Sequence, residues 1–304
     1  MKKIALTCGD PAGIGPEIIA RFLAETPDAA ANVVAVGPRR WLDALPCEGV
    51  AVGDENFGLS PGKPDANGQR VALAAMERAA AGTRGGEFAG VVTAPVNKAG
   101  LKSVGYEFPG QTEFFAARWG GVPVMAFAGG RMRVVLATWH IPLRDVPAAL
   151  DFPRLERAVV QADFLAKKLG AAQSAFPRIG VCGLNPHAGE RGVLGREEID
   201  CIEPILAVLR ERFPGLSHCV PADTIFRRHL LGEFDIVVAL YHDQALAPLK
   251  TLEFDEAVNI SLGLAHVRTS PDHGTAYDIA GKNLAQAKSF ANAVRLARQL
   301  CAAD

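Results

Sequence analysis

Short apolar runs alternate with longer amphipathic segments along almost the whole chain, and this alternation limits the possible folds more than any other feature. It is typical of α/β proteins with a largely parallel sheet. We predict strands at residues 3–7, 32–36, 90–93, 122–128, 133–138, 178–182 and 235–240. We predict helices at residues 15–25, 67–81, 112–119, 153–169, 197–213 and 285–302. The helix at 153–169 has a one-sided apolar stripe that includes Leu155, Val159 and Leu165.

The length of the chain indicates more than one domain. Its 304 residues correspond to about two domains of ordinary size. No Pro-, Gly- or Ser-rich linker divides the sequence, so we expect the chain to cross between the domains more than once. We predict one domain from residues 1–115 with 270–304, and a second domain from residues 116–269.

Charge and cysteine content exclude several classes of protein. The 32 basic and 33 acidic residues leave a net charge of −1, so the chain has no broad basic surface for nucleic acid or an anionic membrane. Its six scattered cysteines contain no CxxC pair and indicate free thiols in a reducing compartment. The first apolar run is too short for a signal peptide, and no stretch suits a membrane helix. We therefore expect a cytoplasmic protein that binds neither nucleic acid nor membrane.

Three histidines, His140, His187 and His242, lie just past the ends of predicted strands. The carboxyl ends of parallel strands line the ligand crevice of open α/β sheets, so side chains that are distant in sequence can converge there. Three imidazoles suit Zn²⁺ or Co²⁺, and Asp243 would be a further ligand or would orient His242. The alternative is three unrelated loop histidines, each with its own hydrogen bonds. Spacing alone, without an HExxH-type motif, favours the unrelated histidines, and the shared placement at strand ends leaves both interpretations open.

A second polar group contains Lys250, Asn259 and Arg268. The planar fork of arginine fits phosphate or carboxylate, so this group suits an anionic substrate, whereas ordinary solvated charge is the alternative interpretation.

Two glycine-containing stretches are candidates for nucleotide binding. The glycines at residues 9–17 do not have the GxGxxG spacing, and no acidic residue ends the second strand, so we interpret this stretch as a tight strand-to-helix turn. The polar loop at 270–283 fits either an adenosine moiety or an ordinary connection.

Six motifs follow one another along the chain: GDPAGIGPE at 9–17, TAPVNK at 93–98, CGLNPHAGE at 182–190, PADT at 221–224, YHDQ at 241–244 and RTSPDHGTA at 268–276. In this order they resemble the 4-hydroxythreonine-4-phosphate dehydrogenase (PdxA) family, and the resemblance spans nearly the whole chain. It implies a two-domain α/β/α fold of the isocitrate/isopropylmalate dehydrogenase type. The first domain would then be the nucleotide side, and the second the metal and dimer side.

The resemblance also implies the site residues. The metal ligands would be His140, His187 and His242, in a site completed across the interface of a homodimer. The substrate contacts would be Gln111, Thr112, Lys250, Asn259 and Arg268, and the catalytic candidates are Lys250, Asp223 and Asp243. The cofactor-binding residues would be His273, Gly274, Thr275, Ala276 and Asn283. Many members of the family have histidine where this chain has Gln111, and glutamine cannot become cationic. We therefore expect phosphate recognition there to be weaker, or to be shared differently among the side chains.

The implied reaction needs NAD or NADP and a divalent metal such as Zn, Co or Mg. It oxidises 4-phosphonooxy-L-threonine to 2-amino-3-oxo-4-phosphonooxybutanoate, which decarboxylates to 3-amino-2-oxopropyl phosphate. A related dehydrogenase acting on threonate or erythronate 4-phosphate, or on a carboxylated cyclohexadiene diol, is the nearest alternative. A metal-dependent acyl or phosphoryl transfer enzyme and a non-catalytic metal- or nucleotide-binding protein are more distant alternatives.

Overall fold

The computed structural model describes residues 2–171 and 175–302, so Met1, Ala303 and Asp304 of the predicted first domain lie outside the described residues. The strands are β1 Ile4–Thr7, β2 Val33–Gly37, β3 Glu48–Ala51, β4 Gly90–Thr93, β5 Gly121–Ala128, β6 Arg133–Leu136, β7 Ile179–Cys182, β8 Leu216–Val220, β9 Ile236–Ala239, β10 Val258–Leu264 and β11 Val267–Pro271. The α-helices are α1 Gly15–Glu25, α2 Arg39–Leu42, α3 Ala66–Arg84, α4 Lys98–Lys102, α5 Gln111–Trp119, α6 Val146–Ala149, α7 Phe152–Lys168, α8 Glu203–Arg210, α9 Ala222–Leu230, α10 His242–Glu253 and α11 Lys288–Cys301.

The chain forms two compact units. The first unit contains Met1–Pro123 and Val258–Asp304, and the second unit contains Val124–Ala257. The sequence-based boundaries stood at 115/116 and 269/270, so they assigned β10 and the start of β11 to the other domain. The structure includes these segments in the first unit because β11 pairs in parallel with β4, and β10 pairs with β11.

The first unit is built around the strands β3-β2-β1-β4-β11-β10, in that order. All these pairs are parallel except β10–β11, which is antiparallel. Strands β1 and β4 are buried along their whole length, as expected where helices cover both faces of a parallel sheet. Helix α1 begins with Pro16 in its first turn and buries Ile18, Ile19, Phe22 and Leu23 on one face.

The second unit contains the strands β5-β6-β9-β7-β8, in that order. The pair β5–β6 is antiparallel, whereas β6–β9, β9–β7 and β7–β8 are parallel. Helix α7 buries Leu155, Val159 and Leu165, so the predicted stripe is confirmed, and the side chain of Asp151 caps its start by accepting from the Arg154 amide at 2.9 Å.

Several elements differ from the sequence-based prediction. Strands β3, β8, β10 and β11 and helices α2, α4, α6, α9 and α10 were not predicted. Strand β10 alternates apolar residues with polar residues or glycine, which is the period of a strand, but it has no continuous apolar run. Pro248 lies inside α10 and interrupts the regular period of that helix. The predicted helix at 197–213 is a π-helical turn, Glu198–Ile202, followed by α8.

No helix in the described part of the chain combines the length and apolarity that a membrane span requires.

Candidate active site

Two of the predicted metal ligands share a pocket in the second unit. His140 follows β6 and His242 begins α10, directly after β9. Because β6 and β9 are parallel neighbours, their carboxyl ends lie side by side, and the two imidazole centroids are 5.6 Å apart with the rings tilted by 38°. The pocket has a volume of about 340 Å³ and also includes Thr138, Tyr241 and Asp243 in its lining.

The backbone around these imidazoles is held in place by hydrogen bonds. The Thr138 hydroxyl donates to the Leu240 carbonyl at 2.6 Å, which ties the end of β6 to the end of β9. Gln244 accepts from the Leu240 amide at 2.7 Å and donates to the Gly183 carbonyl at 2.7 Å, so it also joins the ends of β9 and β7. His140 has a φ of 49°, a left-handed conformation that is costly for a residue other than glycine and is often found at functional sites.

Asp243 orients its neighbour His242. Its Oδ1 lies 2.6 Å from Nδ1 of the His242 ring. A carboxylate in this position fixes the tautomer of a ligating histidine and makes Nε2 the metal-binding nitrogen. The donor types in the pocket, two imidazoles and a carboxylate, fit a divalent ion such as Zn²⁺ or Co²⁺.

The third predicted ligand, His187, lies on an unusual turn after β7. Five consecutive residues, from His187 to Arg191, have φ between 41° and 79°, which makes a short left-handed turn. The buried carboxylate of Glu198 supports it by accepting from the Leu184 and Asn185 amides at 2.8 and 2.7 Å. His187 Nδ1 lies 3.4 Å from an oxygen of Glu190.

Within residues 2–171 and 175–302, no group of three or more His, Cys, Asp or Glu side chains is arranged to hold a metal ion. The three-histidine site therefore stays a prediction, two members of which share one pocket. Asp223, in the first turn of α9, is absent from the lining of that pocket. Lys250, on α10, has its Nζ 5.9 Å from the centre of the Phe254 ring.

The predicted substrate contacts of the first unit surround a buried cation, Arg268, whose exposed fraction is 4%. Its guanidinium donates to Thr93 Oγ1 at 2.8 and 3.1 Å, to Asn259 Oδ1 at 3.0 Å and to Ser261 Oγ at 3.3 Å. None of the ion pairs in the described part of the chain includes Arg268. Burial lowers the pKa of the Arg268 guanidinium to about 10, so it is still cationic at neutral pH.

Two further predicted substrate contacts, Gln111 and Thr112, are the first two residues of helix α5. The buried Thr112 hydroxyl lies 2.9 Å from Ser261 Oγ, so Ser261 links Thr112 to Arg268. The Oε1 atom of Gln111 is buried without a hydrogen-bond partner among the described residues. The structure thus brings Gln111, Thr112, Asn259 and Arg268 into one region of the first unit.

Thr93 and Ser261 were not among the predicted site residues. Ser261 stands two positions after Asn259 on β10, so alternation along a strand puts both side chains on one face. Thr93 ends β4, the strand beside β11. Once β10 and β11 are known to be strands, both residues can be found from this spacing.

The predicted cofactor-binding residues lie in the connection between β11 and α11. Ala276 and Asn283 have φ of 44° and 57°, and His273 Nδ1 lies 3.2 Å from the Gly274 carbonyl oxygen. A largely apolar cavity of about 640 Å³ borders this connection, and its lining includes Gly13, Trp41, Gly281 and Asn283. His273, Gly274, Thr275 and Ala276 do not line this cavity.

Known proteins resemble this chain over its whole length. A family model described as pyridoxal phosphate biosynthetic protein PdxA matches residues 18–297. The 4-hydroxythreonine-4-phosphate dehydrogenase of Thioalkalivibrio sulfidiphilus (strain HL-EbGR7) is 43% identical over 323 residues, which cover 98% of this chain and 96% of that protein. The protein of the same name from Zymomonas mobilis is 41% identical over 322 residues, covering 98% of this chain and 95% of that protein.

Solved structures agree with this relationship. The crystal structure of 4-hydroxythreonine-4-phosphate dehydrogenase from Klebsiella pneumoniae has a TM-score of 0.86 at 36% identity, covering 99% of this chain and 100% of that chain. A terephthalate 1,2-cis-dihydrodiol dehydrogenase from Burkholderia xenovorans LB400 has a TM-score of 0.71 at 29% identity, covering 98% of both chains. The predicted α/β fold and the family resemblance are both confirmed. The chain belongs to the PdxA family of pyridoxal phosphate biosynthetic proteins.

Proposed function

We propose that the chain oxidises 4-phosphonooxy-L-threonine with NAD⁺ or NADP⁺, and that the product, 2-amino-3-oxo-4-phosphonooxybutanoate, decarboxylates to 3-amino-2-oxopropyl phosphate. The observation that carries the proposal is the buried guanidinium of Arg268, held by Thr93, Asn259 and Ser261, all of which are neutral. It occurs in a chain that is 43% identical, almost end to end, to a protein named 4-hydroxythreonine-4-phosphate dehydrogenase. The Glu113 carboxylate also attracts the charge of Arg268. A buried cation whose hydrogen-bond partners are neutral can bind an anionic substrate.

The anionic ends of the substrate would be held by Arg268, Asn259 and Lys250. Thr112 and Gln111 would add neutral hydrogen bonds at the start of α5, where backbone amides also favour an anion. Because Gln111 carries no charge, Arg268 and Lys250 supply the cationic side chains in this set.

The chemistry at the substrate C3 hydroxyl would belong to the second unit. A divalent ion held by His140, His187 and His242 would act as a Lewis acid that lowers the pKa of this hydroxyl. Lys250, Asp243 or Asp223 would accept the hydroxyl proton, and the 3-oxo group forms as hydride leaves C3 for the nicotinamide. The shared pocket of His140 and His242, with Asp243 on Nδ1 of His242, supports this assignment.

The active form would be a homodimer that shares the metal site. Within one chain, His140 and His242 lie in the same pocket, and His187 lies on the separate turn after β7. In the arrangement that we propose, His187 of the partner subunit completes the ligand set of His140 and His242.

A steady-state assay tests the proposed reaction. The purified protein should reduce NAD⁺ or NADP⁺ with 4-phosphonooxy-L-threonine and release CO₂ in equal amount. Exhaustive chelation should lower the rate at least about 100-fold, and Zn²⁺, Co²⁺ or Mg²⁺ should restore it. Reduction that continues unchanged after chelation would contradict the metal assignment. Failure to reduce either nicotinamide with any of the three metals would contradict the proposed function.

A carboxylated cyclohexadiene diol is a second candidate substrate. It is favoured by the 29% identity and 98% coverage shared with the terephthalate dihydrodiol dehydrogenase, together with the uncharged Gln111. The same assay with this diol and with threonate or erythronate 4-phosphate compares the candidates directly. We expect kcat/KM to be at least about tenfold higher for 4-phosphonooxy-L-threonine than for the diol, because a phosphate carries more negative charge to Arg268 than a carboxylate does.

A further inference from the structure

The carboxylate of Asp10 is fully buried at the turn that follows β1. None of the ion pairs in the described part of the chain includes it. Its oxygens accept three hydrogen bonds, from the Ala12 amide at 3.0 Å, from Gln69 Nε2 at 2.7 Å and from the Tyr277 hydroxyl at 2.5 Å. Burying a carboxylate is costly unless such bonds compensate for the lost water, so this group indicates a specific structural task.

Tyr277 lies in the middle of the loop formed by residues 272–285, which carries the proposed adenosine-binding residues. Three more contacts join this loop to the segment after β1. The Ile14 amide donates to the Thr275 carbonyl at 2.9 Å, and the Gly281 amide donates to Glu17 Oε2 at 2.8 Å. Arg21 donates to the carbonyls of Asn283 and Ala285 at 2.8 and 2.7 Å.

Gly13 permits this close approach, whereas Gly9 lies against the segment after β4. A Cβ atom on Gly13 would lie 2.8 Å from the Thr275 carbonyl oxygen, closer than real Cβ contacts come. Gly9 has a φ of 69°, and a Cβ there would lie 2.5 Å from the Pro95 carbonyl oxygen. The segment is therefore more than a strand-to-helix turn, because its backbone is shaped to lie against the 272–285 loop.

The 272–285 loop needs such support. Ala276 and Asn283 both have positive φ, a conformation that is unfavourable for residues other than glycine and persists only when the surroundings enforce it. A loop released from its anchors would spread over other conformations, and its affinity for a ligand would fall by the fraction of molecules that leave the binding shape.

We propose that Asp10 is a positioning residue for the nicotinamide-nucleotide cofactor. Through Tyr277 it holds the 272–285 loop in the shape that binds the adenosine part of NAD or NADP. This inference rests on the proposed function, because it takes the loop to be the cofactor site.

The test measures cofactor and substrate affinity separately in Tyr277→Phe, which removes the hydroxyl that is bonded to Asp10 and that also faces Asn97 and Thr275. We expect the KM for the nicotinamide cofactor, and the Kd for NADH from a fluorescence titration, to rise about tenfold. The KM for 4-phosphonooxy-L-threonine and kcat at saturating cofactor should stay within about twofold of wild type. Tyr106→Phe is the matched control, because the Tyr106 hydroxyl is buried without a hydrogen-bond partner among the described residues.

A second variant tests whether Asp10 is the partner through which the Tyr277 hydroxyl holds the loop. Asp10→Asn should raise the same Kd, because an amide offers only one acceptor oxygen to the three donors around it. The double variant should be no worse than the more affected single variant, since both changes break the same contact. If Asp10→Asn does not fold, the Tyr277→Phe measurement stands alone.

The outcomes separate the inference from the proposed function. A wild-type protein that binds NADH, with Tyr277→Phe binding it equally well, overturns the positioning role of Asp10 and leaves the proposed function intact. An equal rise in cofactor KM and substrate KM also overturns it, because general loosening would then explain the effect. A wild-type protein that binds neither NAD(H) nor NADP(H) overturns the proposed function and this inference together.

Discussion

At the scale of single residues, the Arg268 side chain is chemically suited to bind an anion. The guanidinium is buried, and its donors are directed at two hydroxyls and one amide oxygen, from Thr93, Ser261 and Asn259. These neutral partners fix the orientation of the fork without cancelling its charge. Such a group should bind an anion more strongly than a solvated lysine would, because less of the field is screened by water.

Replacing Arg268 with lysine tests this interpretation. A lysine side chain would keep the positive charge but lose the planar fork, so we expect Arg268→Lys to lower kcat/KM for 4-phosphonooxy-L-threonine about 100-fold. The exposed Arg295 on α11 provides the control, and Arg295→Lys should not change kcat/KM. A value for Arg268→Lys within about threefold of wild type would show that charge alone is sufficient there.

At the scale of elements, the left-handed turn from His187 to Arg191 is the most strained segment near the proposed site. Four of its five residues are not glycine, and each pays a conformational penalty for a positive φ. Glu198 offsets part of this penalty with hydrogen bonds to the Leu184 and Asn185 amides. Strain that the surrounding structure maintains in this way is common where a loop presents a functional side chain, which agrees with the role proposed for His187.

A glycine substitution shows whether the turn is strained, because the sign of the change in the free energy of unfolding depends on that strain. Ala188 has a φ of 53°, so Ala188→Gly should raise the free energy of unfolding by about 0.5–1 kcal/mol, since relief of the left-handed penalty exceeds the entropic cost of glycine. Ala81, exposed on the right-handed helix α3, is the matched control, and Ala81→Gly should lower the free energy of unfolding by about 1 kcal/mol. Urea denaturation of both variants gives the comparison. Destabilisation by both substitutions would mean that the turn is not strained.

At the scale of the whole molecule, the sequence predicts the strands that are continuous apolar runs and misses strands that mix apolar and polar residues, such as β8, β10 and β11. Strands β6 and β9 were predicted, so the placement of His140 and His242 at strand ends was predicted with them. Strand β10 alternates its apolar residues with Asn259 and Ser261, which is the period of a strand. A search for continuous apolar runs does not detect this alternation, so β10 was missed although its sequence carries the signal.

Other properties of the site depend on tertiary structure alone. That β6 and β9 are neighbours, with β7 on the far side of β9, follows from strand pairing and not from any local pattern. The left-handed turn at His187 has no periodic signature either. The contact between Asp10 and Tyr277 joins residues 267 positions apart, so the 9–17 motif gave no indication of its partner.

The central claim is that His140, His187 and His242 form one metal-dependent dehydrogenase site, shared by two chains. Subunit complementation tests it most directly, with oxidation of 4-phosphonooxy-L-threonine as the readout. His187→Ala and His242→Ala should each be inactive. After unfolding and refolding of their equimolar mixture, about half of the dimers would be mixed, and each mixed dimer would hold one intact site, which gives about a quarter of the wild-type rate.

His140→Ala mixed with His242→Ala is the control and should recover nothing, because both ligands come from the same chain and no combination restores a site. Recovery in the first mixture alone is the result that we expect. A first mixture that stays as inactive as its separate components, while wild-type protein refolded in parallel regains its activity, would contradict the shared three-histidine site.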